Sequence, residues 1–525
     1  MEEDISTLPS SGFGISWWYC IGTAAALLVG YNVWYYTQFI RSGIPGPLPI
    51  PFYANIKRSK EAFYICEQKW VAKYGKVMGF FSVGGPTLLI ADVKMIKQLL
   101  VKNFSSFLNR GASQFVQSDR LRKMLIGLRG DQWRSTRHTI LPMFTASKIK
   151  LMAHTLNECT EAVILQKLRE STKDGQTVEI KELYGAFSIC CIGVAGFGLQ
   201  LHSHSEDDES LTLAAFEKNA KDFFSRLKST KWLLIEILQK YIPYAIIRYF
   251  DIGLVSQESE NFFFDMSADL FKKRKEGRMQ GDSVDFMQPM VNAHKDEDEE
   301  GWCQSSPMEM GMKKVKLSID EVVAQCVMFL IAGYETTAAC LIFASYLLAC
   351  HPDVQEKLAS EVRATIGGSG SHKVTFELIS KMPYLDKVVI EALRLYPPIA
   401  RVTRECTKDT SLQGMRIRKG TRFIVPIWTI HRDPELWPDP LTFNPDRFSA
   451  QNNCLNMDAF LSFGDGPRSC LGNRFALAEI KIALARILAE FKMQMAEDTP
   501  QTLELGKGVF LSPRHSVPLK FVPLA

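Results

Sequence analysis

The chain has 525 residues, 46% hydrophobic and 23% charged, with a net charge of +5. That exceeds the usual ~100–150 residues of one domain, so it allows several domains or one large one with a sizeable core. The small net charge argues against nucleic-acid binding, and no long Lys/Arg block is present. The 12 cysteines are scattered without a C-x-x-C pair, and Cys190 and Cys191 are adjacent. Such usage argues against a disulfide framework or a zinc site and suits reduced thiols in a cytosolic body.

Residues 15–40 carry no charge and hold Trp17, Trp18 and Tyr19 at one end and Trp34, Tyr35 and Tyr36 at the other. A stretch of ~20 apolar residues can span a bilayer as a helix, with aromatic belts at its ends. Glu2, Glu3 and Asp4 precede it, while Arg41, Lys57, Arg58 and Lys60 follow. The positive-inside rule then leaves the C-terminal body in the cytosol. A cleaved signal peptide and a buried core helix are the alternatives. The acidic leader opposes the first, and the proline-rich run at 44–51 opposes the second. This divides the chain into an anchor (1–41), a stiff hinge (42–52) and a main domain (53–525).

Two apolar runs, 76–83 and 86–91, flank Gly84-Gly85 and predict a β-hairpin. Residues 93–280 read as mostly helical, broken by a polar loop near 202–210. The apolar stretch 231–250, with spaced basic residues, is either a core helix pair or a second membrane contact. Residues 281–316, with the charge run 295–300, read as a solvated surface loop. Trp133 and Arg137 stand at i, i+4 and suit a cation–π pair. Glu391 and Arg394, at i, i+3, are by themselves an ordinary helix ion pair. A strand is predicted over 422–428.

Ser318 and Glu321 form a capping box before an apolar run that His351-Pro352 ends. The helix between is predicted to be buried and about 48 Å long. Its centre reads Ala332-Gly333-Tyr334-Glu335-Thr336-Thr337. An acid and hydroxyls in a buried helix are costly unless paired or functional. Gly333, with Thr336 bonding back to the Ala332 carbonyl, predicts a local kink that admits water. A hydroxyl, an acid and water can relay protons. The alternative is a kinked packing helix with a satisfied threonine.

The most informative stretch is Phe463-Gly464-Asp465-Gly466-Pro467-Arg468-Ser469-Cys470-Leu471-Gly472. A lone thiolate can be the axial ligand of a haem iron. Glycines allow the chain to approach a flat macrocycle, and Arg468 can grip a carboxylate. A helix starting after Gly472 would help to stabilise the thiolate. For an isolated cysteine, a buried structural role would be the simpler reading.

The full F-x-x-G-x-R-x-C-x-G spacing resembles the cysteine-ligand signature of the cytochrome P-450 superfamily at every defining position. The anchor, hinge, W-x-x-x-R, central helix, E-x-x-R and Arg447 segment follow in the family's order. The chain is most similar to the microsomal branch containing subfamily 3A. The resemblance implies a mainly α (α+β) fold with a small β-rich side, behind one transmembrane helix. It implies haem b (iron protoporphyrin IX), with Cys470 on the iron. Arg468, Trp133, Arg137, Arg110, Arg404 and Phe463 are the implied cofactor contacts. Thr336 and Glu335 are the implied proton-delivery pair, and Glu391, Arg394 and Arg447 a structural trio.

The implied activity is monooxygenation of lipophilic substrates (xenobiotics, steroids or fatty acids) with O2. No flavin or nicotinamide module follows the cysteine loop, so electrons are expected from NADPH–cytochrome P-450 reductase, with cytochrome b5 as a second candidate donor. The implied location is the endoplasmic reticulum membrane, single-pass, with the catalytic domain on the cytosolic face. Two alternatives stay open: a haem-thiolate isomerase or lyase of the thromboxane-synthase type, and a non-catalytic membrane haem protein. Thr336 favours the monooxygenase. The implied pocket uses the loop after Arg110 and residues 216–227, 329–332, 399–402 and 508–511, which are mostly apolar.

Overall fold

The computed structural model describes residues 13–48, 61–82, 85–111, 118–199, 212–228, 246, 249–251, 255–277, 285–292, 294, 316–367, 373–449 and 456–524. The readings of the acidic leader, the 202–210 loop, the charge run, nearly all of 231–250, much of 281–316, and the basic residues after the hinge lie outside them. Within 281–316 the helix Met287–Asn292, with Phe286, Met287 and Met290 buried, corrects the expected solvated loop.

A hydroxyl and a carboxylate start the longest helix. Ser318 Oγ accepts from the Glu321 N–H at 3.2 Å, and Glu321 Oε2 accepts from the Ser318 N–H at 3.0 Å. The helix runs Ile319–Cys350 and stops before Pro352, which opens the next helix, Pro352–Gly367. In chain order the helices that matter here are α1 (Phe13–Tyr36), α2 (Phe63–Tyr74), α3 (Gly130–Ile140), α4 (Ala146–Cys159), α5 (Ile180–Phe197), α6 (Ile319–Cys350), α7 (Pro352–Gly367), α8 (Pro383–Leu395) and α9 (Asn473–Glu490).

Helix α6 is buried on nearly every side and crosses the core against α5. It stays α-helical across Gly333. A Cβ at Gly333 would lie 2.6 Å from Cδ1 of Ile192 on α5. The missing side chain lets two core helices approach closely.

The strands form three small sheets among the described residues. β1 (Val77–Ser82) and β2 (Gly85–Ile90) pair antiparallel as the predicted hairpin. With β4 (Val402–Glu405) and β7 (Arg422–Val425) they make a sheet in the order β1-β2-β7-β4. β3 (Val178–Glu179), β8 (Phe491–Met495) and β9 (Pro518–Pro523) form a second, in the order β3-β9-β8. β5 (Thr410–Leu412) and β6 (Met415–Ile417) form the third. The strand expected over 422–428 ends at Val425 instead. Pro426 has no N–H to donate, and a short helix, Ile427–Ile430, follows.

Helix α1 presents Trp17, Trp18, Tyr19 and Leu27 as exposed side chains. Its base packs on the body, where Tyr35, Tyr36 and Phe39 all contact Phe81 of β1 with ring centroids within 5.4 Å. Among the described residues the helices long and apolar enough to cross a membrane are α5 and α6, not α1, and both are largely buried in the core.

Candidate functional site: a thiol and unpaired arginines around one cavity

The cysteine loop is built by turns that only glycine tolerates well. Gly464 and Gly466 have φ of +70° and +71°. A Cβ at Gly466 would also overlap the Leu100 carbonyl oxygen. The Cys470 N–H donates to the Phe463 carbonyl at 2.8 Å, closing the loop. Helix α9 begins three residues later. The thiol opens onto a cavity of about 600 Å³ while protein surrounds it on its other sides. Burial pushes the thiol up, and the Gly472 N–H, Arg110 and Arg137 pull it down.

Six arginines line the same cavity, among them Arg110, Arg137, Arg404 and Arg468. Trp133 is buried on α3, and the Arg468 guanidinium stacks 4.3 Å from its ring centroid. Arg137 lies 5.8 Å from the same centroid, as the i, i+4 spacing predicted. Arg137 donates to the Ser469 carbonyl at 3.0 Å, and Arg468 to the Leu128 carbonyl at 2.6 Å. Arg404 donates to the Thr403 carbonyl at 2.8 Å. The Nε atoms of Arg110, Arg404 and Arg468 are buried without a hydrogen-bond partner. Burial, then the neighbouring guanidiniums, pushes Arg468 down to about 8. Burial and Arg110 push Arg404 down to about 9. Guanidinium is in practice always protonated, so the downward push expresses the cost of crowding unpaired cations.

Helix α6 closes another side of the cavity with Ala332, Gly333, Thr336 and Thr337. Thr336 Oγ1 donates to the Ala332 carbonyl at 2.7 Å, as expected. Glu335 is buried, but it is not on the cavity wall. One residue of helix turns a side chain by about 100°, which separates the two members of the expected pair. Phe463 lines the cavity. So do Phe329, Ile399, Val402, Val509 and Phe510 from the expected pocket segments. From 216–227 Phe223 reaches the wall, while Phe216 packs in the core.

Glu391 accepts from Arg394 at 2.7 and 2.9 Å and from Arg447 at 2.8 Å. Sequence reasoning missed what ties this trio to the cysteine loop. His431 donates from Nδ1 to the Arg394 carbonyl at 3.0 Å, and its Nε2 accepts from the Leu461 N–H at 2.9 Å. Burial pushes His431 down to about 3, so the ring is neutral. Ser462 adds a bond to the Leu393 carbonyl at 2.9 Å. These contacts use backbone partners, which leave no sequence signature.

Converging cations call for a multiply charged anion, and a thiol facing the same space can bind a metal. A haem, with two propionates and an iron, meets both needs, so the residues present fit it. These features define a haem-protein site on a mostly helical fold.

The cytochrome P-450 family profile matches residues 44–521, and the chain belongs to that family. It is 34% identical to cytochrome P-450 3A29 of Sus scrofa over 517 residues, covering 98% of this chain and 97% of the relative. It is 33% identical to cytochrome P-450 3A13 of Mus musculus over 512 residues, 97% of each chain. Cytochrome P-450 3A12 of Canis lupus familiaris is 34% identical over 522 residues, again 97% of each. The protein is thus a cytochrome P-450 monooxygenase with haem b as cofactor. As such it uses O2, an organic substrate and a redox partner.

Proposed function

We propose that the enzyme oxidises lipophilic organic compounds (xenobiotics, steroids or fatty acids) and that Cys470 ligates its haem iron. The observation that carries this reading is the meeting of the Cys470 thiol and three guanidiniums with open Nε atoms on one largely apolar cavity. When bound, the haem supplies the reductive activation of O2. The chain's own residues bind, orient and deliver protons. Arg110, Arg137, Arg404 and Arg468, with Trp133, hold the propionates through charge-assisted hydrogen bonds. Phe463 packs beside the cofactor. Thr336 gives its hydrogen to the Ala332 carbonyl, so its oxygen can accept from a water in the cavity. Glu335, on the buried side of α6, feeds protons toward that hydroxyl after a side-chain rotation.

Electrons come from NADPH through NADPH–cytochrome P-450 reductase, with cytochrome b5 as a second donor. Residues 1–41 form a single membrane anchor and 42–52 a hinge. Residues 53–525 form the catalytic domain, on the cytosolic face of the endoplasmic reticulum. The exposed aromatic and apolar side chains of α1, together with Arg41 at its base, support the anchor.

The test is the reduced, carbon monoxide difference spectrum of the native protein beside Cys470→Ala. A strongly red-shifted Soret band, lost in the variant, is the expected result. A histidine-type spectrum in the native protein would overturn the ligand assignment. Turnover that needs no reductase would favour the isomerase reading.

A further inference from the structure

The cavity has a second charged feature, away from the arginines that face Cys470 in charge and role. Among the described residues, Glu61 and Glu67 are the acids on its wall. Glu61 is exposed and ion-paired to Lys69 at 2.5 Å. Glu67, on α2, is only 3% exposed. Its Oε1 accepts from Arg401 Nη1 at 2.7 Å, just ahead of β4. Its Oε2 is buried without a hydrogen-bond partner.

An ionised carboxylate accepts about four hydrogen bonds, and a buried one left short is costly. Glu391 shows what saturation looks like here, since it also accepts from the Asn444 N–H at 3.0 Å besides its two arginines. Glu479, another fully buried carboxyl, does not line the cavity. Glu67 therefore combines a half-satisfied buried carboxylate with access to the substrate space. Burial pushes its pKa up by more than Arg401 pulls it down, so a further cation at Oε2 would favour the ionised form.

Its surroundings narrow the occupant. Phe63, Trp70 and Phe80 share this part of the wall. The Arg401 guanidinium already lies 4.1 Å from the Phe63 ring centroid. Trp70 and Phe80 pack with centroids 5.2 Å apart. Aromatic faces beside a carboxylate favour a cation, and a bond from N⁺–H to a carboxylate is roughly twice as strong as one between neutral groups. A neutral hydroxyl would leave the aromatic faces unused.

We propose that Glu67, held by Arg401, is an ammonium-recognition site that selects lipophilic amines carrying an N–H when protonated. This rests on the reading that the cavity takes lipophilic substrates. The amine donates to Glu67 Oε2, and its hydrocarbon lies along the apolar wall.

The test uses the full-length, haem-loaded protein in lipid nanodiscs, with binding read by equilibrium dialysis against empty nanodiscs, so no turnover is needed. The probes are N,N-dimethylphenethylamine, its neutral analogue phenethyl methyl ether, and N,N,N-trimethylphenethylammonium. Glu67→Gln is expected to weaken the tertiary amine roughly ten-fold and the ether by less than about two-fold. Equal losses for amine and ether, or no loss for the amine, would sink the proposal. Should Glu67→Gln not load haem, the native protein still decides. The tertiary amine is expected to bind about ten-fold tighter than the quaternary ion, which has no N–H. Equal affinities would overturn it. Tight amine binding with no ether binding would keep the ammonium site and count instead against the broader lipophilic-substrate reading.

Discussion

Two groups of buried arginines differ in how many partners they have. Arg394 is fully buried and donates to Glu391 and to the His431 and Pro440 carbonyls, at 2.7–2.9 Å. Arg447 beside it donates to Glu391 and to the Pro438, Asp439 and Thr442 carbonyls. Arg404 is as deeply buried but bonds its neighbour's carbonyl and keeps an open Nε. Arg110 and Arg468 share that open Nε. Burial is the same in kind, so burial alone does not separate scaffold from site. The partner count does. Here a saturated buried cation locks the fold, whereas an unsaturated one on the cavity wall marks where an anion belongs. Arg274 also has an open Nε, but it lies off the cavity and is ion-paired to Asp285.

The comparison breaks most readily at Glu391. Glu391→Ala leaves two buried guanidiniums without their shared carboxylate. Removing one partner of a buried pair costs ~3–5 kcal/mol, so little folded, haem-loaded protein is expected. Recovery of normal haem content and an unchanged urea midpoint would show that the trio is not the lock.

The next effect is pH-dependent and comes from His431. Burial lowers it from 6.5 to about 3 in the folded state. Between those values the unfolded chain takes up a proton that the folded chain refuses. Its contribution is complete above about 6.5 and is lost as pH falls toward 3. Acid unfolding monitored by intrinsic fluorescence should show this loss, and His431→Gln should flatten that limb. An identical acid limb in the variant would remove His431 from the account.

Gly466→Ala should cost less, ~1–3 kcal/mol, because it adds a Cβ at positive φ against the Leu100 carbonyl. Thermal unfolding of the haem-loaded protein reads it directly. An unchanged Tm would mean that the loop relaxes freely.

Features set by neighbours in sequence were legible before the fold was known. The Ser318–Glu321 cap, the stop at Pro352 and the β1–β2 hairpin depend on residues within a turn of one another. The Trp133–Arg137 pair and the Glu391–Arg394 pair are likewise local. What the sequence hid is tertiary. Gly333 makes room for Ile192 on another helix, a contact that its neighbours in sequence do not announce. His431 works through backbone atoms 30 and 37 positions away, and such partners have no residue type to recognise. The direction of Glu335 could not be read from its adjacency to Thr336, since adjacency on a helix separates side chains. The half-satisfied state of Glu67 depends on Arg401, 334 positions along the chain.

The effect that is smallest in the haem-free protein is the most discriminating, because its sign reverses between two forms of the protein. Arg404→Met removes a buried cation of similar length from the unsaturated group. Without haem, the loss of an unpaired charge should leave stability unchanged or raise it slightly. With haem, one charge-assisted contact to a carboxylate is lost, worth ~1.5–3 kcal/mol, so haem should transfer to a competing apoprotein roughly ten- to a hundred-fold faster. The corresponding change in the saturated group, Arg394→Met, should destabilise both forms alike, because Glu391 loses one of its two guanidiniums and the His431 and Pro440 carbonyls lose their donor. Parallel behaviour of the two variants would erase the distinction between lock and site. Opposite behaviour in the haem-free form would show that an open Nε marks a place kept for an anion.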